Sequence, residues 1–208
     1  MKKIFLFILI FVTTYMAQPV EVIKVEQITS KDQGSFFYPI VNDDDSKLLF
    51  SNENYMGLWI LDNNNGVLDN INNYVSSGYE PAFTNDGKIV FRNDSFENNR
   101  RFISIVEYNL SAKTEKVVAE NLRDISQIKI TNGNEISSSK NQSLLALNSN
   151  ENLSKVSSIE QPLLMIENSD LVMYNNGNRL KLNPIGDGNY LWASVSPNND
   201  KLLFTFAG

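Results

Sequence analysis

The sequence predicts an all-β protein, a β-propeller of four-stranded antiparallel blades, and three observations carry that prediction. The first is an internal repeat: YPIVNDDDSKLLF, YEPAFTNDGKIVF and WASVSPNNDKLLF each set an aromatic residue (Tyr38, Tyr79, Trp192) twelve positions before a phenylalanine (Phe50, Phe91, Phe204). A polar turn and a lysine (Lys47, Lys88, Lys201) lie between them. The second is the period, near 40 residues, which is the length of one blade. The third is asparagine. The chain has 29 of them, gathered in clusters such as 63–65, 72–73 and 175–176, and asparagine tolerates the left-handed backbone that hairpin turns demand.

Alternation of apolar and polar residues places the strands. Val20 to Gln27 has the pattern of a first or closing strand. In the first blade Tyr38–Val41 is an inner strand, Asp43–Ser46 a turn, Lys47–Ser51 a second strand, Gly57–Leu61 a third and Val67–Ile71 an outer one. The second blade repeats this with Pro81–Phe83, the turn Asn85-Asp86-Gly87, Ile89–Arg92, a polar connector, Phe102–Tyr108 and Glu115–Ala119. Asp-Gly inside such alternation is a strong hairpin signal because both turn positions accept positive φ. Further on, Ile125–Ile130 resembles an inner strand, Ser143–Leu147 a second, and Asn148–Ser158 a loop or short helix. Leu163–Ile166, Leu171–Tyr174 and Arg179–Leu182 resume the meander, and a new blade opens at Tyr190. About four blades are expected, the last unfinished: the period calls for two more strands after Lys201–Phe206, and the sequence stops at Gly208. The expectation is a fragment, or a ring whose missing strands come from another chain. An open edge strand is itself a site of association.

The first 17 residues, MKKIFLFILIFVTTYMA, have two lysines, an apolar run from Ile4 to Val12 and Ala17 as a cleavage position. This is the pattern of a secretory signal peptide, with residues 18–208 as the mature propeller. The apolar run is short of the roughly 20 residues that a membrane-spanning helix needs, so no stable membrane insertion is expected after cleavage. No cysteine occurs, which excludes disulfides and a lipobox alike. A periplasmic or secreted protein is expected. Without Lys2 and Lys3 the chain has 16 basic and 24 acidic residues, a charge of −8, which disfavours nucleic acid and anionic lipid as partners.

The chain also has no histidine. A Ser-His-Asp relay, a Cys-His pair, a histidine-containing zinc site and a histidine general base are therefore excluded. No GxSxG, P-loop or Rossmann glycine motif occurs. No catalytic residue, cofactor or metal is assigned, and the protein is expected not to be an enzyme. Asp43-Asp44-Asp45 and Asp62 with Asn63–Asn65 are oxygen-rich, but they lack EF-hand spacing and occupy hairpin positions, where plain turns are expected. Trp59 and Trp192 are expected in the core, as are Phe50, Phe91 and Phe204, which share one repeat position. Arg100-Arg101 is the one compact basic spot, read as solvated loop charge.

At YEPAFTNDGK and VSPNNDK the chain resembles the propeller repeats of the TolB family. Tyr79, Pro81, Asp86, Gly87 and Lys88 match its pattern, as do Ser196, Pro197 and Lys201, where Asn198 and Asn199 replace Asp-Gly. In the first copy only Tyr38, Pro39, Lys47 and Leu48–Phe50 are kept. The resemblance implies an exported scaffold that binds another protein of the cell envelope or periplasm through its blade loops or propeller face. The alternative is a carbohydrate-binding or carbohydrate-processing propeller, with Trp59, Tyr55 or Tyr74 as sugar platforms.

Overall fold

The computed structural model describes residues 27–132, 134–147, 154–156, 158–195 and 201–207. Two compact units form, Met1–Gln33 and Gly34–Gly208. Of the first, the described part holds a 3-10 turn at Lys31–Gln33. The expected signal peptide and nearly all of the strand expected over Val20 to Gln27 lie outside the described residues.

The second unit is a run of five antiparallel sheets. The first holds β1 (Phe37–Val41), β2 (Lys47–Ser51), β3 (Leu58–Asp62) and β4 (Val67–Asn72). The second holds β5 (Ala82–Phe83), β6 (Lys88–Glu97), β7 (Arg100–Asn109) and β8 (Thr114–Leu122). The third holds β9 (Ile128–Thr131), β10 (Glu135–Lys140), β11 (Ser143–Ala146) and β12 (Ser154–Lys155). The fourth has β13 (Leu163–Glu167), β14 (Asp170–Asn175) and β15 (Asn178–Lys181), and the fifth β16 (Asn189–Val195) and β17 (Leu202–Ala207). Within each sheet, strands pair in sequence order. Each is a meander.

The sheets stack face to face, because successive residues of a strand point to opposite sides and both sides are apolar. Leu49, Leu58 and Ile60 of the first sheet meet Ile89, Phe91 and Val106 of the second. The other face of the second, with Val90, Ile103 and Ile105, meets Ile128 and Ile136 of the third. Leu144 and Ala146 then meet Met165, Val172 and Tyr174. Leu164 and Leu171 meet Tyr190, Phe204 and Phe206. The three phenylalanines of the repeat do share one place, on the second strand of a sheet. Phe91 and Phe50 are buried and Phe204 half-buried. Next to them on the opposite face stand Leu49 and Val90, fully buried, and Leu203, which is 67% exposed.

Side chains of the turns close the hairpins at one end. Asn42 Oδ1 accepts from Lys47 N (2.7 Å), and Thr84 Oγ1 accepts from Lys88 N (3.0 Å). The repeat lysine then reaches a carboxylate on the third strand: Lys47 reaches Asp62 (3.5 Å), and Lys88 reaches Glu107 (3.2 Å). In Asn85-Asp86-Gly87 only Gly87 takes positive φ (76°), so this loop is not the two-residue turn that Asp-Gly suggested. Gly78 answers a different need. A Cβ there would lie 2.0 Å from Cβ of Ser51, so the chain entering the second sheet passes too close to β2 for any side chain.

Other expectations are corrected as well. Asn93 to Arg101 is not a connector: β6 and β7 run on to a two-residue turn at Asn98 and Asn99, both at positive φ (49° and 60°). A strand went unread at Glu135–Lys140 because its buried residues include Ser137, Ser138 and Ser139. Ser143–Leu147 is consequently a third strand and not a second. Trp192 is 43% exposed and not in the core, whereas Trp59 packs against Phe36, with ring centroids 5.8 Å apart.

Strand direction shows one irregularity. Ile166, near the end of β13, donates its N–H to Gln127 (3.2 Å), just before β9 begins. Asn132, just after β9 ends, accepts from Glu160 N (3.0 Å), just before β13 begins. β9 and β13 therefore run in opposite directions. Tyr190, at the start of β16, donates to Ser169 O (2.9 Å) at the β13–β14 turn, so β16 again runs as β9 does. The fourth sheet begins with a strand that runs in the direction of the second strands.

Candidate functional site

The chain enters β5 and β9 at one common end of the sheets, where Glu80 Oε1 accepts from Gln127 Nε2 (2.6 Å). The turns β10–β11 (Asn141, Gln142) and β13–β14 (Asn168, Ser169) reach the same end. Between them lies a cavity of about 620 Å³ with a mostly polar lining, including Tyr55, Tyr79, Arg92, Arg101 and Glu167. A row of rings leads across this face. Tyr38 stacks on Tyr55 (centroids 4.3 Å), and Tyr55 meets Tyr79 edge-on (5.1 Å). The Arg92 guanidinium lies 5.2 Å from the Tyr79 ring centroid, a cation–π contact.

Arg92 and Asp94 alternate on β6 and therefore share one face of it. Arg92 Nε donates to Asp94 Oδ1 (3.2 Å), and Arg101 Nε donates to Oδ2 (2.8 Å), which Arg101 Nη2 also contacts. The side chains of Arg92 and Asp94 are 4% and 1% exposed. Burial lowers the Arg92 guanidinium below its ordinary range, opposed by the charge of Asp94. Burial likewise raises the hydroxyl of Tyr79, and pushes that of Tyr55 up to about 12 with hydrogen bonding to Tyr38 as the second cause. On the far wall, buried Glu167 accepts from Tyr174 OH (2.5 Å) and from Arg179 Nε (2.9 Å).

Glu80 sits at the junction of the second and third sheets, and its Oε2 is buried without a hydrogen-bond partner among the described residues. Burial, the largest influence, raises its carboxyl above the usual range against the pull of Lys129, Gln127 and Arg92. The folded protein therefore takes a proton here more readily than the unfolded chain does. The stability this confers is fully present below the ordinary value of 4.5 and is lost as pH rises through the higher folded value. Glu80→Gln keeps the acceptor for Gln127 and removes the charge. It is expected to stabilise the protein by about 1 kcal/mol at pH 7 and by much less near pH 4, measured by urea denaturation at both. An equal gain at the two pH values would contradict this account.

The residues singled out in the sequence are spread over the molecule. Arg101 joins the cavity wall on β7 and is not solvated loop charge, and its pairing with Asp94 was not foreseen. Tyr55 lines the cavity. Tyr74 donates to Glu115 (2.9 Å) and packs near Phe91, and Trp59 is packed as well, so neither is a platform. Asp44 accepts from Asn42 Nδ2 (2.7 Å) and Ser46 N (3.0 Å), and Asp62 from Asn64 N (2.9 Å). Both carboxyls are lowered, first by their hydrogen bonds to Ser46 and to Asn64. Asp43 borders a second depression at the opposite end, of about 360 Å³. Arg92, Asp94, Glu80, Gln127 and Glu167 went unread. The available signal was Arg92 and Asp94 two apart directly after the apolar run Ile89–Phe91.

Meanders of this kind, packed face to face in sequence order, define the β-propeller class. No family model and no curated protein sequence matches the chain. Its fold is similar to that of TolB from Acinetobacter baumannii, at TM-score 0.56 and 16% identity, over 81% of this chain and 48% of that one. It is equally similar to the gluconolactonase XC5397 from Xanthomonas campestris, at TM-score 0.56 and 11% identity, over 82% and 69% of the two chains. The tricorn protease matches at TM-score 0.56 and 8% identity, over 82% of this chain and 24% of that one. The chain thus spans about half the length of the TolB structure. At these identities the likeness carries the propeller fold alone. The expectation that the protein is not an enzyme is corrected: a gluconolactonase and a protease are among the matched structures. The missing histidine and motifs remove particular mechanisms and not catalysis as such.

Proposed function

We propose that this is an exported propeller of the cell envelope that binds another protein through the face bearing the cavity. One observation carries the reading: a row of tyrosines, Tyr38, Tyr55 and Tyr79, leads over that face into a polar cavity walled by fixed charges. Tyrosine supplies large contact area at low cost in side-chain entropy, and such surfaces favour protein partners. Tyr38 is 47% exposed and Leu191, on the cavity rim, 62%, so apolar area is available beside the polar floor. The resemblance of the repeat to the TolB family and the leader-like first 17 residues support the envelope setting. The outer edge of β17, which pairs only with β16 among the described residues, is a second contact in the same proposal.

The test is affinity capture from periplasmic extract, using the chain expressed with its own leader. A partner enriched by the wild type and at least tenfold less by Tyr38→Ser, with unchanged thermal stability, is the expected result. No enriched protein under several salt conditions would overturn the reading. A saturable response on a glycan array would favour a sugar ligand at Tyr55 instead.

A further inference from the structure

We infer that Arg92 and Arg101 form a carboxylate-binding site in the cavity wall, which takes an acidic side chain of the bound protein. The inference deepens the protein-binding reading, on which it rests for the source of the carboxylate. Its starting point is a charge count. Two guanidiniums share one carboxylate, and both oxygens of Asp94 are already used, Oδ1 by Arg92 and Oδ2 by Arg101. Among the described residues no other carboxylate comes within 4.0 Å of either arginine. Glu167, across the cavity, is committed to Tyr174 and Arg179. Asp124, also in the lining, is exposed to solvent. Glu80 gives Oε1 to Gln127 and pairs with neither arginine within 4.0 Å. Within ion-pair range one positive charge is left over, beside a side chain that is 4% exposed and borders the cavity.

A buried, undercompensated guanidinium is costly unless an anion completes it. Arg92 is held by β6, by Asp94 and by the Tyr79 ring, so little freedom remains to be lost on binding. The planar fork of a guanidinium matches the two oxygens of a carboxylate. The excess is a single unit, which a monoanionic carboxylate balances and a phosphate, at about −1.5 to −2 near neutral pH, exceeds. Hydroxyls and amides of Ser126, Ser139, Asn141 and Asn168 line the rest of the cavity and suit a polar backbone beside the acid.

The experiment follows the arginine Nε–Hε signals of the full chain by nuclear magnetic resonance. N-acetyl-glutamate methylamide, its glutamine counterpart, inorganic phosphate and a free uronate are titrated in turn. Saturable shifts of Arg92 and Arg101 with the glutamate probe, and none with the glutamine probe, are expected. Arg101→Gln should weaken that binding at least tenfold and Arg101→Lys less, while Lys113→Gln, at the β7–β8 turn, leaves it unchanged. The Arg101 side chain is 49% exposed, and thermal melts of both variants check that the fold survives. An equal response to the glutamine probe, tighter binding of phosphate or of the uronate, or full affinity in Arg101→Gln would overturn the inference. The two readings fail separately. If the glutamate probe does not bind and Arg101→Gln still captures the partner protein, the carboxylate site falls and protein binding stands. If the probe binds and no protein is captured, protein binding falls and the site stands.

Discussion

Phe91→Ala is expected to lower the unfolding free energy by about 3 to 5 kcal/mol in urea denaturation, the range for emptying an aromatic core position. The ring is fully buried between the first two sheets, against Leu49, Leu58, Ile60 and Val106, with Tyr74 at 6.3 Å. The interface is formed by two pleated surfaces fixed by their own ladders. Closing over the void would require displacing the neighbouring side chains Leu49, Leu58, Ile60 and Val106 of the same interface. Phe204→Ala occupies the same repeat position but removes a half-buried ring, so roughly 1 to 3 kcal/mol is expected from the smaller area withdrawn from water. Equal losses for the two would mean that burial between sheets does not set the value of the position, and a loss under about 1 kcal/mol for Phe91 would place it outside the core altogether.

Asp94→Ala should be comparably damaging, by about 3 to 5 kcal/mol, for an electrostatic reason. It leaves the Arg92 guanidinium, 4% exposed, without the one carboxylate that pairs with it among the described residues, and removing one partner of a buried ion pair leaves an undercompensated charge. Asp94 also anchors the chain entering the second sheet, through its N–H to Val75 O (3.0 Å), but that bond belongs to the backbone and survives the substitution. Adding Arg92→Met removes the stranded charge and fills similar volume. The double variant is therefore expected to recover a large part of the loss, and the coupling between the two sites, read from a double-mutant cycle, should exceed about 1 kcal/mol. Additive losses would show that Asp94 acts through packing and not as the counter-charge of Arg92.

What the sequence made legible follows from where local pattern and tertiary environment agree. Lys47–Ser51 was placed residue for residue because an apolar run leaves an Asp/Ser turn and ends before the polar Asn52-Glu53-Asn54. Glu135–Lys140 was invisible for the opposite reason: its serines satisfy their hydroxyls with Thr131 (2.8 Å to Ser137) and Ser126 O (3.2 Å to Ser138), so a buried strand is written in polar letters. The β6–β7 hairpin was cut short because Asn93 to Asn99 has the composition of a loop. There, two asparagines at positive φ supply the turn, and cross-strand pairing as far as Glu97 and Arg100 overrides the composition. The site was less legible than the fold. Arg92, Asp94 and Arg101 become a unit only when β6 and β7 pair, and Glu80, Gln127 and Ile166 are joined across three sheets with no pattern along the chain to announce it.

That last connection bears on how the array comes apart. In a tandem-module protein each module is coupled to its immediate neighbours, and fraying from the ends is the natural way to open. Here one glutamine side chain clasps two neighbours at once, donating to Glu80 on one side and accepting from the Ile166 amide on the other. Detaching the middle module alone would break both clasps. The two clasps thus add to the apolar interfaces that hold the third sheet between the second and the fourth, at the end of the sheets where the cavity opens.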